Sequence, residues 1–260
     1  AIKITPGGAL GSRAAWLLEP YSDLPEGLPA STSRVGLPSV SMDLVRKPAQ
    51  VALEQGYQMC IHAIGDRANR EVLNIYEETF RRNNRTGRAL RWRIEHAQHI
   101  NALDIPRFGE LGVIASMQGV HCTSDAPWVV PRLGARRAEE GAYVWQKLMK
   151  SGAVVTNGTD APVEDVDPIA SYYSTVTRKS ADGKVFYPDQ RMNRMEALRS
   201  YTVANAYAAF EEDIKGSVTR GKLADVTVLT KDITTIPEEQ IKTAKVAYTI
   251  IGGRVVYKSN

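Results

Sequence analysis

The sequence has no long hydrophobic runs and few cysteines or histidines. It holds two Cys and four His among its 260 residues. No apolar run approaches the roughly 18 to 20 residues that a membrane-spanning helix needs, which excludes an integral membrane protein. Cys60 and Cys122 lie far apart and form no CxxC pair, so they provide no disulfide framework and suit a reducing compartment, the cytoplasm. With 43% hydrophobic residues, the chain is too apolar to be disordered as a whole.

The charge of the chain is weakly positive and dispersed. Lys and Arg total 33, Asp and Glu total 29, and the formal net charge is +4. A nucleic-acid-binding protein gathers its basic residues on one element. Here the densest basic clusters, within residues 81–88 and 132–137, are typical of solvated helix ends and loops. We therefore expect a small-molecule substrate and no nucleic-acid partner.

Short apolar runs alternate with longer amphipathic ones along most of the chain, which predicts a parallel sheet covered by helices. The long segment from Thr5 to Ser39 is rich in Gly, Pro and Ser, and we interpret it as a functional loop or lid. A second loop, rich in Pro and Trp, is expected to precede a helix at Ala142–Lys150. The predicted strands are Ile2–Ile4, Tyr57–Ala63, Leu90–His96, Val113–Gln118 and Ala153–Thr159. Further helices are predicted at Ser41–Glu54, from Gly65 through Phe80, at Leu103–Leu111, Pro168–Arg178 and Met195–Phe210.

The strand count limits the choice of fold. A (β/α)₈ barrel has about 250 residues, which fits the length, but five strands cannot close such a barrel. The chain is therefore either an open sheet or one part of a larger barrel. From Gly216 onward the pattern becomes rich in strands, and Gly252-Gly253 predicts a tight hairpin.

Polar residues follow the ends of the predicted strands, where parallel α/β sheets carry their functional groups. His62 and His96 end two successive strands, His121 and Asp125 follow the next, and Asp160 ends the last. Imidazole nitrogens and carboxylate oxygens are the ligands of catalytic Zn²⁺. A carboxylate beside a water that such an ion activates can accept the proton of that water. His62, His96 and Asp160 thus form a candidate metal site.

Structural interpretations of these residues remain open. A histidine at a strand end also serves as a hydrogen-bonded structural residue, and Asp160 also fits a turn cap. We expect His99 at the surface. Trp128, Tyr143 and Trp145 fit either core packing or the lining of an apolar pocket. The acidic residues at 164, 165 and 167 are expected to form a solvated loop.

The strand-end segments also resemble a known family. His62–Ala68, Arg93–Gln98 and Gly158–Glu164 resemble signature segments of the amidohydrolase superfamily, in particular its YtcJ-like, amidohydrolase-3 branch. Ser116–Asp125 and Gly221–Asp225 are similar as well, as is the segment 141–145. The resemblance covers nearly the whole chain in order, and several matching motifs are more specific than any single one.

This resemblance implies a (β/α)₈ barrel with a metal centre of one or two divalent ions, zinc being expected, that hydrolyses amide-type bonds. It makes His62, His96 and Asp160 metal ligands on the fifth, sixth and eighth barrel strands, with Asp160 also acting as the catalytic proton shuttle. Lys3 would bridge the metal ions when carboxylated, although Gly7 stands where the family has Asp. Arg13 and His121 would contact substrate, and we add Asp125 and Trp128 as candidate substrate contacts.

One family feature is absent: the sequence contains no His-x-His pair. The chain begins with Ala1, and its first residues already resemble the fourth strand of the barrel. We therefore expect the C-terminal part of a longer enzyme, with barrel strands 4 to 8 in residues 1–212 and part of a β-sandwich in residues 213–260. Its metal site would be impaired, and its open strand edges would favour a homo-oligomer. The alternatives are a non-catalytic folded fragment and a metal-free α/β lyase with His121 as base.

Overall fold

The computed structural model describes residues 1–259 and divides into two compact units. The first unit comprises Ala1–Met117 and Ser124–Val155, and the second comprises Gln118–Thr123 and everything described from Thr156 onward. The chain has an α/β fold with a five-stranded parallel sheet and a three-stranded antiparallel sheet. Within the described residues, no helix combines the length and the apolar character that crossing a membrane requires.

The five strands of the parallel sheet are adjacent in the order in which they occur in the chain. The predicted alternation of strands and helices is confirmed, and the intervening helices supply the crossovers that parallel strands need. The strands are β1 Ile2–Ile4, β2 Met59–Ala63, β3 Arg93–His96, β4 Ile114–Gln118 and β5 Val155–Gly158. The first helices are α1 Asp43–Gln55, α2 Asp66–Arg82, α3 Gly87–Leu90 and α4 Ile105–Leu111.

The parallel sheet buries one apolar face against the helices of the first unit. Met59, Ile61 and Ala63, which alternate along β2, are 0% exposed. Alternate residues of a strand point to the same face, so these three side chains form one row of the core. The predicted apolar positions of α2 are all buried, and they are Ala68, Val72, Ile75, Tyr76 and Phe80.

The opposite face of the sheet is polar. The parallel register sets Lys3 and Arg93 beside Cys60, and Glu95 beside His62. The Arg93 guanidinium and the Glu95 carboxylate form an ion pair at 2.6 Å. Burial raises and the Arg93 charge lowers the pKa of Glu95, and the net shift is downward. Paired charges therefore lie on this face, near the carboxyl ends of the strands.

The prediction of a loop in the Pro- and Trp-rich segment is wrong, because this segment is helical. α5 spans Gly119–Leu133 and contains Pro127 and Pro131. Each proline removes one helical hydrogen bond, and the pattern therefore suggests a loop. Burial of Val129, which is 0% exposed, and of neighbouring apolar side chains stabilises the helix despite this loss. Two short helices follow, α6 Ala135–Gly141 and α7 Trp145–Lys150.

The second unit contains three helices and the antiparallel sheet. The predicted helix over Met195–Phe210 is interrupted at Thr202, whose φ of −119° and ψ of −86° are not helical. The helices are therefore α8 Pro168–Thr177, α9 Arg194–Tyr201 and α10 Val203–Ala208. Short 3₁₀ turns lie at Pro188–Gln190 and Glu238–Thr243.

The predicted C-terminal hairpin is confirmed. The antiparallel sheet has the order β6 Val226–Leu229, β7 Val246–Ile251 and β8 Arg254–Lys258. Gly252 and Gly253 join the last two strands with φ values of 56° and 77°. Two consecutive positive φ angles suit the tight hairpin turns whose twist matches that of the strands, and glycine adopts them without steric cost.

Candidate functional site

Two imidazoles meet at neighbouring strand ends in the first unit. His62 lies near the end of β2 and His96 ends β3, and the register pairs His96 with Ala63. The ring centroids are 4.4 Å apart and the planes meet at 70°. The two histidines that the sequence predicts as ligands are therefore brought side by side.

The backbone at the end of β3 departs from a regular strand to allow this contact. Strict alternation places Glu95, not His96, on the sheet face of His62. His96 and Ala97 have φ values of 76° and 44°, in the left-handed region that residues with a side chain rarely adopt. This turn of the chain directs the His96 imidazole toward His62. Strained backbone of this kind concentrates at functional sites, where surrounding contacts hold it.

The electrostatics of His62 suit a metal ligand. Burial, with smaller contributions from His96 and Lys3, lowers the pKa of His62 to about 3. The ring is therefore neutral at physiological pH, as metal ligation requires. Within residues 1–259, its buried Nε2 atom has no hydrogen-bond partner. A buried polar atom without a partner is costly unless something else satisfies it. A divalent cation fits this donor set.

Lys3, the predicted bridging ligand, lies on the edge strand β1 and is exposed. Its register partner is Cys60, which places it on the same face of the sheet as His62. Its charge acts on both His62 and Glu95. The structure thus sets Lys3 on the polar face that leads to the two histidines.

The second unit holds a group of polar side chains around His121. The Nε2 atom of His121 lies 3.4 Å from Oδ2 of Asp160, and its Nδ1 atom lies 3.5 Å from Oε1 of Glu164. His121 is buried, at 7% exposure, whereas Asp160 is exposed. An imidazole between two carboxylates can exchange a proton with either of them. The expectation that Glu164 is simply solvated is wrong, because Glu164 contacts His121, while Asp165 and Asp167 are exposed as expected.

The segment that carries His121 is fixed by residues that the sequence analysis missed. The Gly119 N–H donates to Oδ1 of Asn157 at 2.9 Å, and the Val120 N–H donates to Oγ of Ser171 at 3.1 Å. A Cβ atom on Gly119 would lie 1.9 Å from Oγ1 of Thr175. Asn157 is buried in β5, so its amide holds the start of α5 in place. The signal of this in the sequence is an Asn within a predicted strand.

Three predicted substrate contacts lie in the first unit. Arg13 donates through Nε and Nη2 to the Asp23 carboxylate at 3.2 and 3.1 Å, so it is already paired within the loop. Asp125 accepts hydrogen bonds from Tyr143 at 2.7 Å and from Gln98 at 3.1 Å. Trp128 is 50% exposed, which rules out core packing for its ring. By contrast, the indole and phenol rings at 145 and 143 are core residues.

The long loop after β1 is anchored by the motif that follows His62. The Asp66 carboxylate accepts the Leu18 N–H at 2.9 Å. A Cβ atom on Gly65 would lie 2.1 Å from the Trp16 carbonyl oxygen, so the loop backbone passes directly over this glycine. Burial raises the pKa of Asp66 above its usual value. Gly65 and Asp66 therefore hold the loop in place. This structural role requires no contact with a ligand.

His99 does not lie at the surface, as the sequence suggested. Its side chain is buried at 2% exposure and its ring meets the Tyr143 ring edge to face, with centroids 5.4 Å apart. Burial lowers the pKa of His99 to about 3. The residues next to His99 in the sequence gave no signal of this, because the burial comes from the segment around Tyr143, which is distant in sequence.

The amino-acid sequence matches proteins of known family. Residues 1–257 match the model of the amidohydrolase family, Amidohydro_3. The chain is 34% identical over 257 residues to Protein LONG AFTER FAR-RED 3 of Arabidopsis thaliana, covering 98% of this chain and 42% of that protein. It is 33% identical over 263 residues to the putative amidohydrolase YtcJ of Bacillus subtilis, covering 100% and 47%. N-substituted formamide deformylase of Arthrobacter pascens is 26% identical over 227 residues, covering 87% and 41%.

The fold is also similar to that of solved structures. An uncharacterized metal-dependent hydrolase from Pyrococcus horikoshii superimposes with a TM-score of 0.77 at 30% identity, over 92% of this chain and 46% of that one. The chain spans less than half the length of the curated relatives that it matches. The match of the family model over residues 1–257 shows that the chain belongs to the amidohydrolase family.

Proposed function

We propose that this protein hydrolyses carbon–nitrogen bonds of amide type in a small molecule, using a divalent cation. The observation that carries the proposal is the His62–His96 pair at two neighbouring strand ends, in which the buried Nε2 of His62 has no partner among residues 1–259. Membership of the amidohydrolase family supports it. The name of the formamide deformylase relative supports an N-acyl or N-formyl substrate class.

The cation would be held by His62, His96 and Asp160, with Lys3 as a fourth ligand once its amine is carboxylated, and zinc is the ion expected. Neutral imidazole nitrogen and carboxylate oxygen form a donor set that zinc prefers. When bound, the cation acts as a Lewis acid that polarises the substrate carbonyl and lowers the pKa of water. The neutral His62 imidazole is ready to coordinate at physiological pH without first losing a proton.

Asp160 is the proton shuttle of the proposed reaction. Its carboxylate accepts a proton from the attacking water, whose oxygen forms a bond to the carbonyl carbon. The carbon–nitrogen bond then breaks, and the leaving nitrogen takes the proton, so that a carboxylic acid and an amine result. His121, 3.4 Å from Asp160, orients that carboxylate, and Glu164 holds the other side of the imidazole.

The sheet belongs to a barrel in this proposal. Five parallel strands in chain order, each followed by helical segments, are the arrangement of consecutive strands in a (β/α)₈ barrel. Residues 1–212 then supply barrel strands 4 to 8, and residues 213–260 supply part of a β-sandwich. The length of the curated relatives, more than twice that of this chain, is consistent with this assignment.

Metal content tests the proposal. Protein purified without chelator is analysed for bound transition metals, beside His62→Ala, His96→Ala and a control, His99→Phe, which removes an imidazole outside the pair and retains a ring against Tyr143. We expect about one equivalent or more of metal in the parent chain and the control, and loss of metal in the first two variants. A well-folded parent chain that takes up no zinc at micromolar concentration would refute the proposal.

A metal-free lyase is the second candidate function. It is favoured by the position of His121 between two carboxylates, an arrangement suited to a general base. The two functions are distinguished by the conditions that abolish turnover. A lyase keeps its turnover in chelator and in His62→Ala and loses it in His121→Ala, whereas the hydrolase loses it in all three conditions.

A further inference from the structure

The side chains of Gln98, Asp125 and Tyr143 form a hydrogen-bonded cluster that the proposed reaction does not use. The Tyr143 hydroxyl donates to Oδ2 of Asp125 at 2.7 Å. The Gln98 side-chain amide donates to the same carboxylate oxygen at 3.1 Å and also to the Tyr143 hydroxyl oxygen. Gln98 and Tyr143 are 3% and 1% exposed, so their hydrogen bonds are shielded from water.

Backbone hydrogen bonds also connect the two segments that carry Gln98 and Tyr143. The Tyr143 N–H donates to the Gln98 carbonyl at 2.7 Å, and the Ile100 N–H donates to the Gly141 carbonyl at 2.9 Å. A Cβ atom on Gly141 would lie 2.1 Å from the Ile100 carbonyl oxygen, so the two segments touch along their backbones. The residues that follow β3 are thus bound to the segment before α7.

The same residues are held from the other side by the end of β2. The His99 N–H donates to the Ile64 carbonyl at 3.0 Å. The Asn69 side-chain amide, fully buried on α2, donates to the His99 carbonyl at 3.2 Å. The segment from Gln98 to Ile100 is therefore fixed on both sides.

This anchoring matters because of the two residues that precede it. His96 and Ala97 both have positive φ values, an unfavourable conformation that persists only when surrounding contacts determine it. That conformation turns the His96 imidazole toward His62. The first side chain beyond the strained pair is Gln98, and Tyr143 is the residue that binds Gln98 through both backbone and hydroxyl.

We propose that Tyr143, with Asp125 as its acceptor, is the positioning residue of the His96 imidazole. Its hydroxyl clamps Gln98 and thereby maintains the left-handed turn that directs the ring toward His62. This assigns Asp125 to the support of the site and not to substrate contact. The inference rests on the proposed function, because it treats the His62–His96 pair as metal ligands.

Removal of one hydroxyl tests this inference. Tyr143→Phe keeps the ring that packs against His99 and Trp145 and removes only the oxygen. The matched control is Tyr76→Phe, because Tyr76 is equally buried and its hydroxyl donates to the Arg93 carbonyl at 3.0 Å, in the same strand as His96. Both variants lose one buried hydroxyl beside β3, but only Tyr143→Phe loses the clamp on Gln98.

Zinc titration with a competing chelator gives the first readout. Loss of residues that orient a metal ligand lowers metal affinity about 10- to 100-fold. We expect Tyr143→Phe to raise the dissociation constant at least tenfold, and Tyr76→Phe to change it less than twofold. Equal effects of the two variants, or no effect of Tyr143→Phe, would overturn the inference.

Histidine-selective ¹⁵N NMR of the metal-free protein gives a second readout that does not depend on metal binding. The His96 ring resonances should shift in Tyr143→Phe and remain unchanged in Tyr76→Phe. Unchanged His96 resonances would overturn the positioning role. Failure of the parent chain to bind zinc would instead overturn the proposed function, and this readout would still decide the role of Tyr143.

Discussion

The imidazole rings of His62 and His96 meet edge to face, with centroids 4.4 Å apart, at the ends of two neighbouring parallel strands. Burial and the nearby His96 and Lys3 keep His62 uncharged, and its pKa falls to about 3. A pair of imidazoles in a buried setting would repel if both were protonated. The pair is therefore suited to share a cation, which neutral rings attract through their nitrogen lone pairs.

The carboxylate of Asp160 should be essential for turnover. Asp160→Asn keeps the size of the side chain and removes its capacity to accept a proton. In a form of the protein that hydrolyses an N-acyl or N-formyl amine, we expect kcat to fall by about 10² or more. KM should change little, since the substrate contacts remain. Steady-state kinetics check this, and turnover close to that of the parent would remove Asp160 from the mechanism.

Acid should destabilise the protein partly through His99. Its pKa is about 3 in the folded state and 6.5 in the reference state, so the unfolded chain binds more protons between these values. The contribution of His99 to the free energy of unfolding is therefore fully present above pH 6.5 and is lost as the pH falls toward 3. One such group contributes a slope of about 1.4 kcal/mol per pH unit.

The variant His99→Phe removes this proton and retains a ring against Tyr143. The free energy of unfolding is measured by urea denaturation of the metal-free protein between pH 6 and pH 4.5. We expect its slope against pH to be smaller in the variant than in the parent chain, by the contribution of about one bound proton. Parallel curves for the parent chain and the variant would contradict the assignment.

Close contact of the loop at Gly65 should make this position intolerant of a side chain. Gly65 has an ordinary φ of −71°, so alanine there suffers no backbone penalty. Its Cβ atom, however, would lie 2.1 Å from the Trp16 carbonyl oxygen. We expect Gly65→Ala to lower the free energy of unfolding by about 1–3 kcal/mol.

Gly11→Ala is the matched control for this prediction. A Cβ atom on Gly11 would meet no heavy atom within 4 Å, and the residue lies in the loop after β1 that passes over Gly65. Urea denaturation should show nearly unchanged stability for this variant. A similar loss in both variants would indicate that the cost arises from glycine flexibility and not from the contact at Trp16.

The parallel sheet should promote self-association. Among the described residues, β1 pairs only with β2, and this leaves the other edge of Ile2–Ile4 open. An open edge offers unpaired backbone groups to a second chain. We expect light scattering to give a mass above that of one chain, rising with concentration. A mass equal to one chain over a hundredfold concentration range would contradict this.

Local sequence patterns predicted much of the fold. The alternation of strands and helices, the buried face of α2 and the Gly252-Gly253 hairpin were predicted, because periodicity and turn chemistry depend on neighbouring residues. The adjacency of His62 and His96 followed from one further rule, that carboxyl ends of parallel strands meet at one edge of a sheet.

Only the tertiary structure decided the features that join distant segments. α5 forms despite Pro127 and Pro131, because burial of its apolar side chains outweighs the hydrogen bonds that the prolines remove. His99 is buried by a segment more than forty residues away. The clamp of Tyr143 on Gln98, and the strained turn at His96 that it accompanies, likewise depend on packing between segments. The sequence by itself determined which residues stand at the strand ends, and packing determined how their side chains are oriented, because orientation depends on contacts that no local pattern records.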